Sequence, residues 1–360
     1  MPIYMDRHDV SDEVTASHVA QLHKEDLKIQ HKFDCRGLTY WFDGQRKTAF
    51  CLVEAPNKEA IKNMHDHAHG QLPHRIIKVD DTIVESFLGR IEDPEKSKKT
   101  KLNIINEPAF RTIMFISFKR INLKKQYLNT FNPFIIKIIN SFYGRIVKQE
   151  LHSFLVSFSS VSDAVKCAMD TSSKFNKEDF TNIKFNIGLS AGVPVTEKDN
   201  IFEDTIIKSK RLCNTVEGLI VMSSEVKDLY ESEHQNKKIN TGLVNTLSTS
   251  DEIFLNNLMD YTDKIWHKSD LKVDDYSQYL GISKSQLYRK IKSLTGVSPN
   301  TLINKYRLNK ALDLLKNGNK NISEIAFQTG FNSPGYFTKC FLENFGILPS
   351  HFLNSLKSSN

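Results

Sequence analysis

Two stretches, SKSQLYRKIKSLTGVSP (Ser283–Pro299) and SPGYFTKCFLENFGILP (Ser333–Pro349), superimpose at an offset of fifty residues. Ser283 falls on Ser333, Leu287 on Phe337, Arg289 on Lys339 and Ile291 on Phe341. Both copies close in the same way, with Gly296, Val297 and Pro299 matching Gly346, Ile347 and Pro349. Before the first copy, Val273, Tyr276 and Leu280 recur at helical spacing and stop at Gly281. Ser283 is a natural N-cap, and Leu287, Ile291 and Leu294 form one apolar stripe. Two short helices across a tight glycine-containing turn describe a helix-turn-helix. The second copy repeats the plan, with Ile322, Ile325 and Ala326, then Gly330, then Ser333 and Pro334 as cap and first helical residue. Between them, Ser298–Pro299 opens and Gly318 ends one helix of about eighteen residues.

Paired units of this kind carry a geometric consequence. Recognition helices enter the major groove by their N-terminal ends, and two on one side of a duplex sit roughly 34 Å apart. The outward positions of the first helix are Lys284, Ser285, Gln286, Tyr288 and Arg289, and those of the second are Asn332, Gly335, Tyr336, Thr338 and Lys339. Arg289 is the best base reader, because its fork matches guanine O6 and N7. Lys290, Lys292, Lys305 and Arg307 are expected on phosphates. From residue 251 onward, fourteen Lys and Arg stand against ten Asp and Glu. A plain helical bundle with solvated lysines would explain one such unit; two copies at a fixed offset argue against it.

This region, about residues 255 to 355, resembles the DNA-binding domain of the AraC/XylS family of bacterial transcription regulators. The most specific match is ISEIAFQTGFNSPGYFTKCFLENFGILPSHF. The resemblance implies seven helices, double-stranded DNA as ligand, promoter binding as an activator and RNA polymerase as partner. Gly335 departs from it, since a side chain often faces the groove there, which implies weaker direct readout by the second helix.

Eight of the twelve histidines fall within the first 74 residues, and the pattern there reads β-α-β-β-α-β, the ferredoxin-like order. The run RIIKVDDTIVESFLG is expected as the last strand region. In HDHAH, His65 and His69 are four apart on one helical face, a spacing that suits nickel, copper or zinc as well as a solvated helix end. Residues 1 to 92 resemble a small ferredoxin-like family of bacterial nickel-binding proteins, through RHDV, GLTYWF, AFCLVEAPNKEAI and the histidine-containing helix. That resemblance implies a dimerising domain with a site for nickel or another transition metal, and His8, Cys51, Glu54 and His65 lie in the matching segments. Cys51 and Glu54 are three apart on a strand, so one site would need a bend, which Pro56 could supply.

Residues 93–109 read as a polar, Lys-rich linker, and residues 232–252 as a second. Between them, residues 110–231 resemble the catalytic domain of class III nucleotide cyclases, through FLVSFSSVSDAVKCAM, FNIGLSAGVPV and KRLCNTVEGLIVMSSEVKDL. That chemistry needs two aspartates holding two metal ions. Ser117 stands at the first position, and Leu151, His152 and Ser153 at the second. Arg211 of the later motif is kept, but Ile207 replaces its asparagine. A degenerate, non-catalytic domain serving dimerisation is expected.

The chain of 360 residues, 39% hydrophobic and 25% charged with net charge +7, has the composition of a globular cytoplasmic protein without a membrane span. Five scattered cysteines without CxxC spacing fit a reducing compartment. The expected architecture is multidomain: an α+β ferredoxin-like domain (1–92), an α+β cyclase-like domain (110–231) and an all-α double helix-turn-helix domain (253–360). A signal-responsive transcription regulator is the reading that follows. A metal-binding protein with secondary DNA binding and an active nucleotide cyclase are the alternatives.

Overall fold

A computed structural model describes residues 1–95, 102–120, 128–150, 152–175, 183–216, 220–234, 242, 244–316 and 320–357. Leu151 and the helix stop at Gly318 lie outside the described residues.

The front unit runs β1 (Ile3–Asp9), α1 (Ala16–Ile29), β2 (Arg36–Asp43), β3 (Thr48–Glu54), α2 (Lys58–His69), β4 (Arg75–Val79). Its antiparallel sheet has the order β2-β3-β1-β4, the ferredoxin-like arrangement expected from the pattern. The expected last strand region divides. After β4, Asp80 caps a helix, α3 (Asp81–Leu88), because its carboxylate accepts from the Ile83 N–H. Alternation along the strands gives the sheet two apolar faces. Tyr4, Tyr40, Phe42, Ala49 and Val53 pack beneath α1 and α2, whereas Met5, Trp41, Phe50, Leu52 and Ile77 point the other way.

The middle unit repeats the plan with β5 (Arg111–Arg120), α4 (Leu128–Ser141), β6 (Arg145–Glu150), β7 (Ser153–Phe158), α5 (Val161–Phe175) and β8 (Ile183–Gly192). It continues through α6 (Glu203–Thr215), β9 (Ile220–Met222), α7 (Ser224–Glu233) and β10 (Val244–Thr246). The sheet order is β10-β9-β8-β5-β7-β6, so four of its strands, β6-β7-β5-β8, repeat the order of the front sheet, and β9 and β10 extend it beyond β8. β10 pairs in parallel with β9 inside the stretch that composition marks as a linker. A three-residue strand among polar neighbours carries no period long enough to see.

The two sheets meet face to face. Met5, Trp41, Phe50, Leu52 and Ile77 share one buried cluster with Ile113, Phe115 and Leu155, sealed by Phe87, Phe202 and Cys213. The sheet faces on which two copies of either unit could pair therefore cover one another within one chain. The first expected linker is also structural from residue 102. Tyr40 Oη accepts from the Ile105 N–H at 2.8 Å, Phe42 N–H donates to Glu107 O at 3.0 Å, and Ile105 and Ala109 are buried. Arg111 completes the seam, its buried guanidinium donating to the carbonyls of Phe87, Leu88, Pro108 and Phe110.

Among the described residues seven helices follow: α8 (Thr249–Ile265), α9 (Val273–Leu280), α10 (Lys284–Thr295), α11 (Pro299–Lys316), α12 (Ile322–Gln328), α13 (Pro334–Phe345) and α14 (Pro349–Lys357). α11 is shared: Leu302 and Ile303 pack with Leu287 and Ile291, and Leu308, Ala311 and Leu315 with Phe337 and Phe341. The fifty-residue correspondence thus places equivalent side chains in two equivalent cores.

Candidate nucleic-acid interface and metal centre

In each helix-turn-helix the second helix starts on a serine whose hydroxyl accepts from the backbone, Ser283 from Gln286 N–H and Ser333 from Tyr336 N–H. Gly330 adopts φ +78° at the second turn, where any Cβ would approach Arg307 Nε and Trp266 O to 2.9 Å. On α10, Lys284, Ser285, Gln286, Tyr288, Arg289 and Lys292 are exposed while Leu287 and Ile291 are buried. On the second unit Asn332, Gly335, Tyr336 and Lys339 are exposed, and Thr338 is partly so. Several of these positions already have partners, and Ser285 Oγ lies 3.4 Å from Ser283 Oγ. Gln286 Oε1 accepts from Ser283 N–H at 3.0 Å in a capping box, Lys284 pairs with Asp274 at 2.7 Å, and Tyr336 Oη accepts from Asn304 at 3.2 Å. Arg289, with only a 3.4 Å contact from Nε to Ser285 O, presents the rest of its fork to solvent.

Two residues expected on phosphates are engaged elsewhere. Arg307 is buried and donates Nε to Trp266 O at 2.8 Å, tying the end of α8 to α11. Lys290 pairs with Asp251 at 2.9 Å. Periodicity could not show this, because both sit one turn from real surface positions.

The front unit holds a cluster of titratable groups between its sheet and α2. Asp6 on β1 stands opposite Cys51 on β3 and accepts the Cys51 N–H at 3.0 Å. His8, two residues along the same strand face, places Nε2 3.3 Å from Asp6 Oδ1, outside hydrogen-bond geometry; that buried nitrogen has no hydrogen-bond partner among the described residues. Asp6, His8 and Cys51 offer donor atoms that all lie within 4.8 Å of one another. From α2, His65 sets Nε2 3.0 Å from Asp6 Oδ2 and Nδ1 3.0 Å from Asp26 Oδ1 of α1. His69 Nε2 lies 3.2 Å from the same Asp26 oxygen, so Asp26, His65 and His69 form a second close triad.

The electrostatics follow from burial against pairing. Burial would lower the His65 pKa, but hydrogen bonds to Asp26 and Asp6 override it and raise it to about 10. Burial would likewise raise Asp6, yet the His8 charge and the His65 and His8 contacts hold it well below the usual carboxylate range. Burial, helped by Asp6 and Asp26, pushes the Cys51 thiol well up. An unpaired imidazole nitrogen, a thiol and carboxylates in one buried place are the donor set of a late transition metal.

His8, Cys51 and His65 are thus brought together as the sequence suggested. Glu54 is not: β3 runs straight, Glu54 falls opposite Ile3, and its carboxylate takes the N-terminal ammonium at 3.1 Å and Arg36 at 3.6 Å. Asp6 and Asp26 were missed, whereas the spacing in HDHAH had already paired His69 with His65. The signal for Asp6 was present, since β1 alternation puts it on the His8 face; that for Asp26 was not, because only the packing of α1 on α2 reveals it.

At the cyclase-like positions, Ser117 pairs with Ser153 across β5 and β7, and His152 lies against the Phe118 ring at 5.9 Å. One carboxylate is close: Glu150 accepts from Ser153 Oγ at 3.2 Å but is held by Lys148 at 2.6 Å. Arg211 has a structural partner. Its guanidinium donates to Asn256 at 3.0 Å and to Asp260 at 2.6 Å, both on α8, while Lys208 pairs with Glu252. α6 can lie this low because Gly188 has no side chain: a Cβ there would sit 2.0 Å from Ser209 O.

Residues 276–355 match the family model described as helix-turn-helix domain, and residues 4–79 match nickel responsive protein SCO4226-like. The chain is 38% identical over 109 residues to Histidine kinase P4 of Formosa agariphila, covering 30% of this chain and 8% of that protein. It is 44% identical over 63 residues to the HTH-type transcriptional activator RhaS of Mannheimia succiniciproducens, covering 18% and 24%. The solved structure of SCO4226 from Streptomyces coelicolor A3(2) is similar at 28% identity and a TM-score of 0.21, covering 21% of this chain and 94% of that one. The chain therefore spans at most 24% of either curated relative. It is a multidomain chain whose C-terminal part carries a helix-turn-helix domain. The domain in front is SCO4226-like. No helix among the described residues is long and apolar enough to cross a membrane.

Proposed function

We propose that the protein is a sequence-specific DNA-binding transcription regulator of the cytoplasm whose front domain binds a late transition metal, nickel foremost, as its signal. The observation that carries the DNA reading is the pair of capped recognition helices on one shared α11, each with a buried stripe and an exposed basic position, Arg289 and Lys339. Direct base contact falls to Arg289 and phosphate contact to Lys292 and Lys339. Promoter activation through RNA polymerase follows from the AraC-type relationship. A homodimer would have to form away from the two sheet faces. The middle unit acts as scaffold rather than cyclase: Ser117 and His152 cannot hold magnesium, and Glu150 is neutralised by Lys148. Selection of binding sites from random DNA, followed by footprinting, tests the reading. Recovery of a defined site with two protected segments about one helical turn apart supports it. Equal affinity for all sequences, abolished by moderate salt, would defeat it.

A further inference from the structure

We propose that Asp251 and Asp274 act as internal stand-ins for DNA phosphate. Each holds one lysine of the first recognition helix, Lys290 and Lys284 respectively, and together they keep down the part of DNA binding that reads no sequence. This rests on the DNA-binding reading of the helix-turn-helix units, and assigns how their sequence-independent affinity is set.

The geometry of α10 carries the argument. Leu287, Ile291 and Leu294 are buried, so Ser285, Arg289 and Lys292 lie along the opposite, outward stripe. At about 100° per residue, Lys284 and Lys290 fall on the two flanks between these stripes. A helix seated in the major groove turns its flanks towards the two phosphate backbones. Both flanking lysines are already taken by acids from neighbouring helices. Lys284 Nζ lies 2.7 Å from Asp274 in the first turn of α9, and Lys290 Nζ 2.9 Å from Asp251 in the first turn of α8. Lys290 also sits 5.3 Å over the Phe254 ring. Hydrogen bonds from Lys290 and Ser248 hold the Asp251 carboxyl below its ordinary range, so the acid stays charged. Both pairs reach solvent, and ion pairs of that kind add little to folding stability. The second unit is the contrast. Pro334 and Cys340 stand fifty residues after Lys284 and Lys290. The acids that close the caps occur in both units: Asp275 accepts the Lys272 N–H and Glu324 the Asn321 N–H. Counted from those caps, the place of Asp274 is taken by Ser323. The acid that capping uses is repeated, whereas the acid that holds a lysine is present only where the lysine is. A phosphate must therefore displace an aspartate before either lysine adds affinity.

The test measures binding of the full chain to a selected site and to random duplex DNA over a range of NaCl concentrations. Asp251→Asn and Asp274→Asn, both near-isosteric, should each raise affinity for random DNA by roughly three- to tenfold in low salt and steepen its salt slope by about 1. Affinity for the selected site should rise by no more than that, because a lysine–phosphate contact reads no base. Asp270→Asn removes the same charge nearby, from an exposed residue outside both pairs, and should leave the slope unchanged. The double variant Asp251→Asn with Lys290→Ala should fall back to wild type or below, since the freed lysine is the source of the gain. Thermal melts check that each variant folds. Unchanged slopes in both single variants, an equal gain from Asp270→Asn, or a gain that survives removal of Lys290 would overturn the assignment while leaving sequence-specific binding intact. A wild type that selects no site fails the underlying reading but not this test, which random DNA alone decides. A wild type that binds no DNA would remove both.

Discussion

The front and middle units are the same βαββαβ plan laid sheet against sheet, yet they fill their helix-covered faces differently. In the middle unit that face carries no ionic group on its strands: Met114, Ile116, Phe118, Phe154, Val156, Phe158, Ile187 and Leu189 are joined there by the neutral Thr112. In the front unit the central strand pair interrupts an equivalent face with Asp6 against Cys51, and α1 and α2 add Asp26, His65 and His69. A buried ionic cluster is weak evidence for stability, because desolvation offsets most of the attraction. The middle face shows that the plan closes without such groups. The difference points to a role in the front unit that packing does not require.

The sharpest way to break that comparison is to make one face like the other. Asp6→Val alone leaves His65 and His8 without their carboxylate, and should cost about 3–5 kcal/mol in the metal-free chain. Replacing Asp6, Asp26, His65 and His69 together by Val or Leu should return stability to within roughly 1 kcal/mol of wild type, or above it. Hydrogen-exchange protection of β1 and β3 reads both. A single variant as stable as wild type would mean that the cluster is not an interdependent set.

A second test uses the middle unit's own buried imidazole. Burial, with the nearby Lys316 charge, pulls His152 down to about 4. An ordinary histidine titrates near 6.5, so the folded state binds fewer protons than the unfolded one between these values. The stability this group confers is therefore complete above pH 6.5 and is lost as pH falls towards 4. The loss reaches at most ~3 kcal/mol, less because part of the ring meets solvent. His152→Phe, which keeps a ring against Phe118, should flatten unfolding curves compared at pH 7 and pH 5. An unchanged slope would show that the ring is solvated.

How legible these features were follows from their periods. The helix-turn-helix repeat was readable because Leu287 with Phe337, and Ile291 with Phe341, carry both spacing and caps. The ferredoxin-like order was readable from alternation; of the four suggested ligands, His8 and Cys51 share one triad, His65 reaches it through Asp6, and Glu54 lies apart. Contacts between units were not. Arg211 was expected as part of a cyclase motif, and only the docking of α8 shows it as a joint with Asn256 and Asp260. Arg307 looked like a phosphate contact until Trp266 O was seen to hold it. Local pattern encodes which face is apolar, and says nothing about which face meets which.

The two helix-turn-helix units give the next contrast. Arg289→Ala should cost roughly 1–3 kcal/mol on the selected site and relax preference at one base pair. Lys292→Ala should weaken all sequences alike and lower the salt slope by about 1. If Arg289→Ala weakened specific and random DNA equally, its role as base reader would fail. Lys339→Ala, the fifty-residue counterpart, should behave like Lys292→Ala, since a lysine there binds phosphate as a point charge.

The smallest effect concerns the position where the copies differ most simply, Ser285 against Gly335. A Cβ at Gly335 meets nothing within 4 Å, and its φ is not in the left-handed region. The glycine is therefore not required by the fold of α13, and it costs helix stability through unfolded-state freedom. Gly335→Ala should raise stability by about 0.5 kcal/mol in thermal melts of the full chain. The same variant should bind the selected site as tightly as wild type if the second helix only rests on the backbone. A loss of affinity without a loss of stability would show that the bare backbone at Gly335 lies directly on the duplex, where a methyl group no longer fits. The second recognition helix would then contribute shape where the first contributes a base contact.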